Sequence, residues 1–91
     1  MNVNELYAII LDRKTNPKPG SYTNSLFDTG LPRIAQKVGE EGTEVIVAAL
    51  SQENDRIIEE IADLTYHVLV LMAAKGITPA DIDGELEKRH K

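Results

Sequence analysis

The 91 residues predict an all-α fold, a helical bundle that oligomerisation completes. Three observations predict it. Apolar side chains recur at helical spacing through most of the chain. Pro32, Gly76 and Pro79 fall where helices begin or end. No alternating strand pattern competes, because the β-branched runs Val45–Leu50 and Val68–Leu71 each continue a segment longer than a strand.

The first predicted helix covers 3–14, where Leu6, Ile9, Ile10 and Arg13 share a face and Asn2 or Asn4 serves as cap. Residues 15–30 read as a loop, with two prolines, two glycines and many Ser, Thr, Asn and Asp residues. A loop that long is uncommon in a compact domain without a use. The second predicted helix runs from about 32 to 51, with Pro32 in its first turn. The third follows a cap at Asn54 or Asp55 and runs to Lys75, with Gly76 as its stop. Thr78, Pro79 and Asp81 then open a fourth helix over 79–89.

The second and third predicted helices are apolar nearly all round in their C-terminal halves. Leu64, Tyr66, Val68, Leu69, Val70, Leu71 and Met72 cannot all face one neighbour. A chain this short has little protein with which to cover them, so the expectation is at least a homodimer built around these two helices, packed antiparallel.

Length implies one domain over 1–91. A net charge of −5 with scattered basic residues argues against nucleic acid as partner. The longest apolar run, Val68–Ala74, falls far short of the ~20 residues that span a bilayer. Neither a signal peptide nor any cysteine is present, which fits a cytoplasmic protein.

Two clusters repeat one pattern: Lys37-x-x-Glu40-Glu41-x-x-Glu44 and Arg56-x-x-Glu59-Glu60-x-x-Asp63. Each falls within about 100° of one helix face. Solvated charged faces are the plain alternative. Three features oppose it. Glu40/Glu44 and Glu59/Asp63 are like-charge pairs four apart, Lys37 precedes Glu41 in the weaker order for a helical ion pair, and Gly39 and Gly42 weaken the helix beside the carboxylates. A bound cation explains all three. Carboxylates without a His–Cys set suit hard Mg²⁺, or Mn²⁺, rather than Zn²⁺. Mg²⁺ commonly binds together with phosphates, which points to phosphoryl or nucleotidyl chemistry, and no P-loop is present.

Glu41-x-x-Glu44, fifteen further residues, then Glu60-x-x-Asp63 resembles the metal signature of the all-α, MazG-like nucleotide pyrophosphohydrolases. Ser21–Leu26, Lys37–Glu44 and Ala62–His67 narrow the resemblance to the phosphoribosyl-ATP pyrophosphohydrolase family of histidine biosynthesis, with Gly42 standing where alanine is expected. The resemblance covers about residues 4–88. It implies hydrolysis of phosphoribosyl-ATP to phosphoribosyl-AMP and pyrophosphate, a stand-alone form, and a separate cyclohydrolase acting next.

The resemblance further implies that Glu41, Glu44, Glu60 and Asp63 hold Mg²⁺ and that Glu40 or Glu41 is the general base; with no activated Ser or Cys nucleophile in the sequence, no covalent intermediate is expected. Lys37 would neutralise phosphate, or be an ordinary surface lysine. Ser21, Tyr22, Thr23 and Ser25 would touch ribose or phosphates, or simply shape a turn. His67 would touch substrate or support the metal ligands, or be a core histidine. Arg56 and Glu59 read as a structural ion pair. Two other functions remain open: cleavage of a non-standard nucleoside triphosphate, and a metal-stabilised interaction module without catalysis.

Overall fold

A computed structural model describes residues 1–90; Lys91, the end of the expected 1–91 domain, lies outside the described residues. Five helices follow one another: α1 (Val3–Thr15), α2 (Tyr22–Thr29), α3 (Leu31–Ser51), α4 (Asn54–Lys75) and α5 (Pro79–Arg89). Among the described residues there is no strand, so the fold is all-α.

Asn2, rather than Asn4, caps α1 by accepting from the Glu5 backbone N–H at 2.9 Å. α2 corrects the loop reading of 15–30. Its sequence is a poor helix former, but Leu26 is buried and Phe27 packs against the core. Ser21 caps it, accepting from Asn24 N–H at 3.2 Å. Gly30, at φ +96°, turns the chain directly into α3, a conformation that favours glycine. The rest of the loop is tied down by buried Asn24, which accepts from Lys18 N–H at 2.9 Å and donates to the Arg13 carbonyl at 2.7 Å.

The cap of α4 is Glu53, not Asn54 or Asp55, and it makes no side-chain cap bond. Gly76 stops α4 in the left-handed conformation, and the Ile77 N–H donates to the Met72 carbonyl at 2.9 Å. Thr78 and Asp81 form a reciprocal capping box at the start of α5.

Only Gln52 and Glu53 separate α3 from α4, and the two helices pack along their length. The core joins Tyr7 and Ile10 of α1, Leu26 of α2, Ile34 of α3, and Leu69, Val70, Met72 and Ala73 of α4. A single chain therefore encloses most of the C-terminal half of α4, contrary to the expectation that a second copy must cover it. α1 and α2 supply the cover. Among the exposed apolar side chains, Ile46, Val47 and Leu50 of α3 and Ile58 and Ile61 of α4 lie together at the other end of the pair, near its turn. No described helix is long and apolar enough to cross a membrane.

Val70 is fully buried. Val70→Glu is expected to cost about 3 kcal/mol or more and unfold much of the protein, seen as lost helical circular dichroism at 25 °C.

Candidate active site

The antiparallel packing of α3 on α4 puts the two acidic patterns face to face. Glu41 meets Asp63, and one turn along α3 Glu44 meets Glu60, one turn back along α4. Glu41, Glu44, Glu60 and Asp63 each place a carboxylate oxygen within 4.8 Å of the others. Glu41 is buried, and its Oε1 lies 3.1 Å from Lys37 Nζ. Its Oε2, like Oε2 of Glu60, is buried with no hydrogen-bond partner among the described residues. The groups facing these atoms are other carboxylates, which have no proton to donate when ionised.

The electrostatics follow from that crowding. The Glu41 carboxyl pushes Glu44 up to about 7, with Glu60 adding to the effect. Burial raises Asp63, and Glu41 raises it further. Burial also opposes ionisation of Glu41, but protons held by Asp63 and Glu44 and the Lys37 ammonium outweigh it, so Glu41 sits below the usual carboxylate range. Its hydrogen bond to Glu41 is the main cause that raises Lys37. Without a cation, the cluster must share protons. A hard divalent cation would occupy the two orphaned oxygens and remove the repulsion, so the residues present fit such an ion.

Glu40 stands apart. It is half-exposed, accepts from Gln36 Nε2 at 3.2 Å, and lies 3.6 Å from Arg33 and 3.9 Å from Lys37. Arg56 pairs with Glu59 as expected, and also donates to Glu60 Oε1 at 2.8 Å, so it steadies a member of the cluster.

The four loop candidates divide into two pairs. The Ser21 and Ser25 hydroxyls serve α2 itself, Ser25 donating to the Tyr22 carbonyl at 2.6 Å. Tyr22 and Thr23 instead reach α4: Tyr22 Oη lies 3.0 Å from His67 Nε2, and Thr23 hydrogen-bonds the Tyr66 hydroxyl. His67 is buried, with Nδ1 2.8 Å from the Asp63 carbonyl oxygen. α2 thus hangs on the helix that carries Glu60 and Asp63. Beside it opens a cavity of about 630 Å³, lined by Pro17, Lys18, Gly20, Ser21, Tyr22 and Ser25 among others. Tyr66 and Asn24 were not candidates from sequence. Tyr66 adjoins His67 and could have been suspected, whereas Asn24, though within the Ser21–Leu26 string, had no structural role to suggest while 15–30 read as a loop.

A Cβ placed on Gly39 or Gly42 would meet nothing within 4 Å. Nothing within the chain therefore requires glycine there. Gly42→Ala is expected to stabilise the isolated chain by about 1 kcal/mol, read as a rise in Tm.

A family model described as "Phosphoribosyl-ATP pyrophosphohydrolase" matches residues 3–90. The chain belongs to that family. Among curated relatives, a phosphoribosyl-ATP pyrophosphatase of Sulfurisphaera tokodaii is 58% identical over 94% of this chain and 92% of its own length. One from Saccharolobus solfataricus is 55% identical over 98% of this chain and 95% of its own. The histidine biosynthesis bifunctional protein HisIE of Caldanaerobacter subterraneus is 51% identical over 98% of this chain but only 43% of its own length. The family's activity is the one the resemblance implied: hydrolysis of phosphoribosyl-ATP in histidine biosynthesis. The chain is an enzyme, a hydrolase, and the reading of it as a non-catalytic module falls away.

Proposed function

We propose that the four-carboxylate cluster is where this chain hydrolyses phosphoribosyl-ATP to phosphoribosyl-AMP and pyrophosphate. Glu41, Glu44, Glu60 and Asp63 hold Mg²⁺ there, with Mn²⁺ as a possible substitute. The observation that carries the assignment is the pair of buried, unpartnered oxygens on Glu41 and Glu60 inside a group of four acids. When bound, Mg²⁺ neutralises phosphate oxygens and stabilises the charge that develops on departing pyrophosphate.

The protein's own groups do the rest. Lys37, already on Glu41, supplies a point charge for phosphate at the rim of the cluster. Of the two candidate bases, Glu40 lies outside the ligand group and half-exposed, so in this reading it holds the attacking water and takes its proton. Arg56 keeps Glu60 turned into the cluster. α2, with Tyr22 and Thr23, contributes to the substrate-binding wall, and Ser21 and Ser25 hold its shape. The apolar end of α3 and α4 is where two copies associate. The product passes to a separate enzyme of the pathway, the cyclohydrolase; that the chain matches only 43% of a bifunctional histidine-biosynthesis protein is consistent with a second activity acting beside this one.

The expected result is release of pyrophosphate from phosphoribosyl-ATP that depends on Mg²⁺ or Mn²⁺ and is abolished by chelator, with little turnover of ATP or dUTP. Equal or faster turnover of ordinary nucleoside triphosphates would move the protein to the branch that removes non-standard nucleotides.

A further inference from the structure

His67 falls into a candidate metal group with Glu41 and Asp63, yet its hydrogen bonds leave it nothing to ligate with. Nδ1 faces two oxygens of Asp63, the backbone carbonyl at 2.8 Å and the carboxylate Oδ1 at 3.4 Å. The nearer is a backbone carbonyl, which can only accept, so Nδ1 of the neutral imidazole carries the ring proton and donates to it. Nε2 then carries the lone pair, and the Tyr22 hydroxyl 3.0 Å away must donate to it. Both ring nitrogens are committed. The ring is also wedged edge-on against Tyr66, at 5.0 Å and 88°, and against Tyr22, at 5.8 Å and 75°. The Thr23–Tyr66 hydrogen bond locks the same corner.

The consequence falls on Tyr22, whose side of α2 is half open to solvent at 50% exposure. It lines the 630 Å³ cavity. Its single proton is spent on His67, so toward a ligand its oxygen presents lone pairs only. Lone pairs repel ionised phosphate oxygens, which have no proton to give, and attract hydroxyl donors. We propose that His67 is the positioning residue for Tyr22, and that the Tyr22 hydroxyl oxygen accepts a hydrogen bond from a ribose hydroxyl of the nucleotide substrate. The inference rests on the assignment of α2 to the substrate-binding wall.

The test compares Tyr22→Phe, His67→Phe, the double variant and His67→Gln with wild type. Turnover of phosphoribosyl-ATP by wild type checks the underlying activity on its own, and an inactive wild type overturns both readings. Tyr22→Phe should raise KM for phosphoribosyl-ATP about tenfold, leave kcat within about twofold, and leave inhibition by inorganic pyrophosphate unchanged. His67→Phe should do the same, and the double variant should be no worse than either single one. His67→Gln, whose amide oxygen can accept from Tyr22, should recover most of the loss. Mn²⁺ binding to the metal-free proteins, measured by calorimetry, should stay within about twofold throughout. Three results would overturn the proposal: an unchanged KM in Tyr22→Phe, pyrophosphate inhibition that weakens in step with KM, or Mn²⁺ binding lost in His67→Phe. Should His67→Phe fail to fold, Tyr22→Phe decides alone, since it deletes one oxygen from a half-exposed ring.

Discussion

Glu60→Gln and Glu44→Gln should each lower pyrophosphate release from phosphoribosyl-ATP by about a thousandfold or more, while the metal-free variants melt no lower than wild type. The two halves of this result have one cause. Glutamine keeps the shape of glutamate, so the packing of α3 on α4 survives. It is a poor ligand for a hard cation, so the ion and its stabilisation of leaving pyrophosphate are lost. At position 60 the amide oxygen can still accept from Arg56, which now reaches Glu60 Oε1 at 2.8 Å. The amide nitrogen brings a donor to the place where Glu60 Oε2 is buried without a partner. Differential scanning calorimetry in chelator and in excess Mg²⁺, beside a pyrophosphate assay, reads both halves. Wild type gains Tm from Mg²⁺ by mass action, and the variants gain less. Variants that melt several degrees lower in chelator would make these carboxylates structural.

The pH dependence of the metal-free protein has a definite sign. Glu44 titrates near 7 in the folded chain against an ordinary value of 4.5, so the folded state binds more protons between these values. Stability therefore falls as pH rises from about 4.5 to about 7, and flattens above. Asp63 is raised for its own reasons and acts in the same direction. Glu41 is lowered, so its contribution is present above 4.5 and is lost as pH falls through its folded value. Without metal, the protein should be most stable in mild acid. Glu44→Gln should flatten the slope between pH 4.5 and 7. Melting curves across that range in chelator check it, and an unchanged slope in the variant would remove Glu44 as its source.

Where the sequence spoke clearly, it did so through periodicity and spacing. The bounds of α1, α3, α4 and α5 all fall within a residue or so of those read from apolar spacing, Pro32, Gly76 and the Thr78–Asp81 box. The repeated acidic pattern predicted that two helices would bring four carboxylates together, because like charges four apart are hard to explain on a free helix. α2 was hidden because its helicity comes from tertiary contacts of Leu26, Phe27 and Asn24, while its local composition favours turns. Glu40 and Glu41, adjacent in sequence, looked interchangeable. A step of 100° around α3 separates them, sending Glu41 into the cluster and Glu40 toward Arg33 and Gln36. The tautomer of His67 depends on a carbonyl and a tyrosine 45 residues away, and no local pattern encodes that pairing.

Leu50→Glu should leave a folded species of about 10 kDa where wild type sediments as at least a dimer at micromolar concentration (chain mass 10.1 kDa). Leu50 is 83% exposed, and Ile46 and Ile58, on the same end of the α3–α4 pair, are 60% and 65% exposed. Covering three such side chains is worth about 1.5–3 kcal/mol each, enough to hold two copies together once the cost of association is met. The contrast with Val70→Glu is the informative part. Charge at Val70 enters the core of one chain and unfolds it, whereas charge at Leu50 enters water unless a second copy is present. The patch also borders the chemistry, since Val47 lines one hollow with Glu44, Gln52, Arg56 and Glu60. A second copy seated there would exclude water from the acidic cluster and strengthen every charge interaction within it. Leu50→Glu should therefore lower kcat/KM about tenfold or more, and wild-type specific activity should fall on dilution below the dissociation constant. Sedimentation of wild type as a folded single chain at micromolar concentration would remove the second copy from the site.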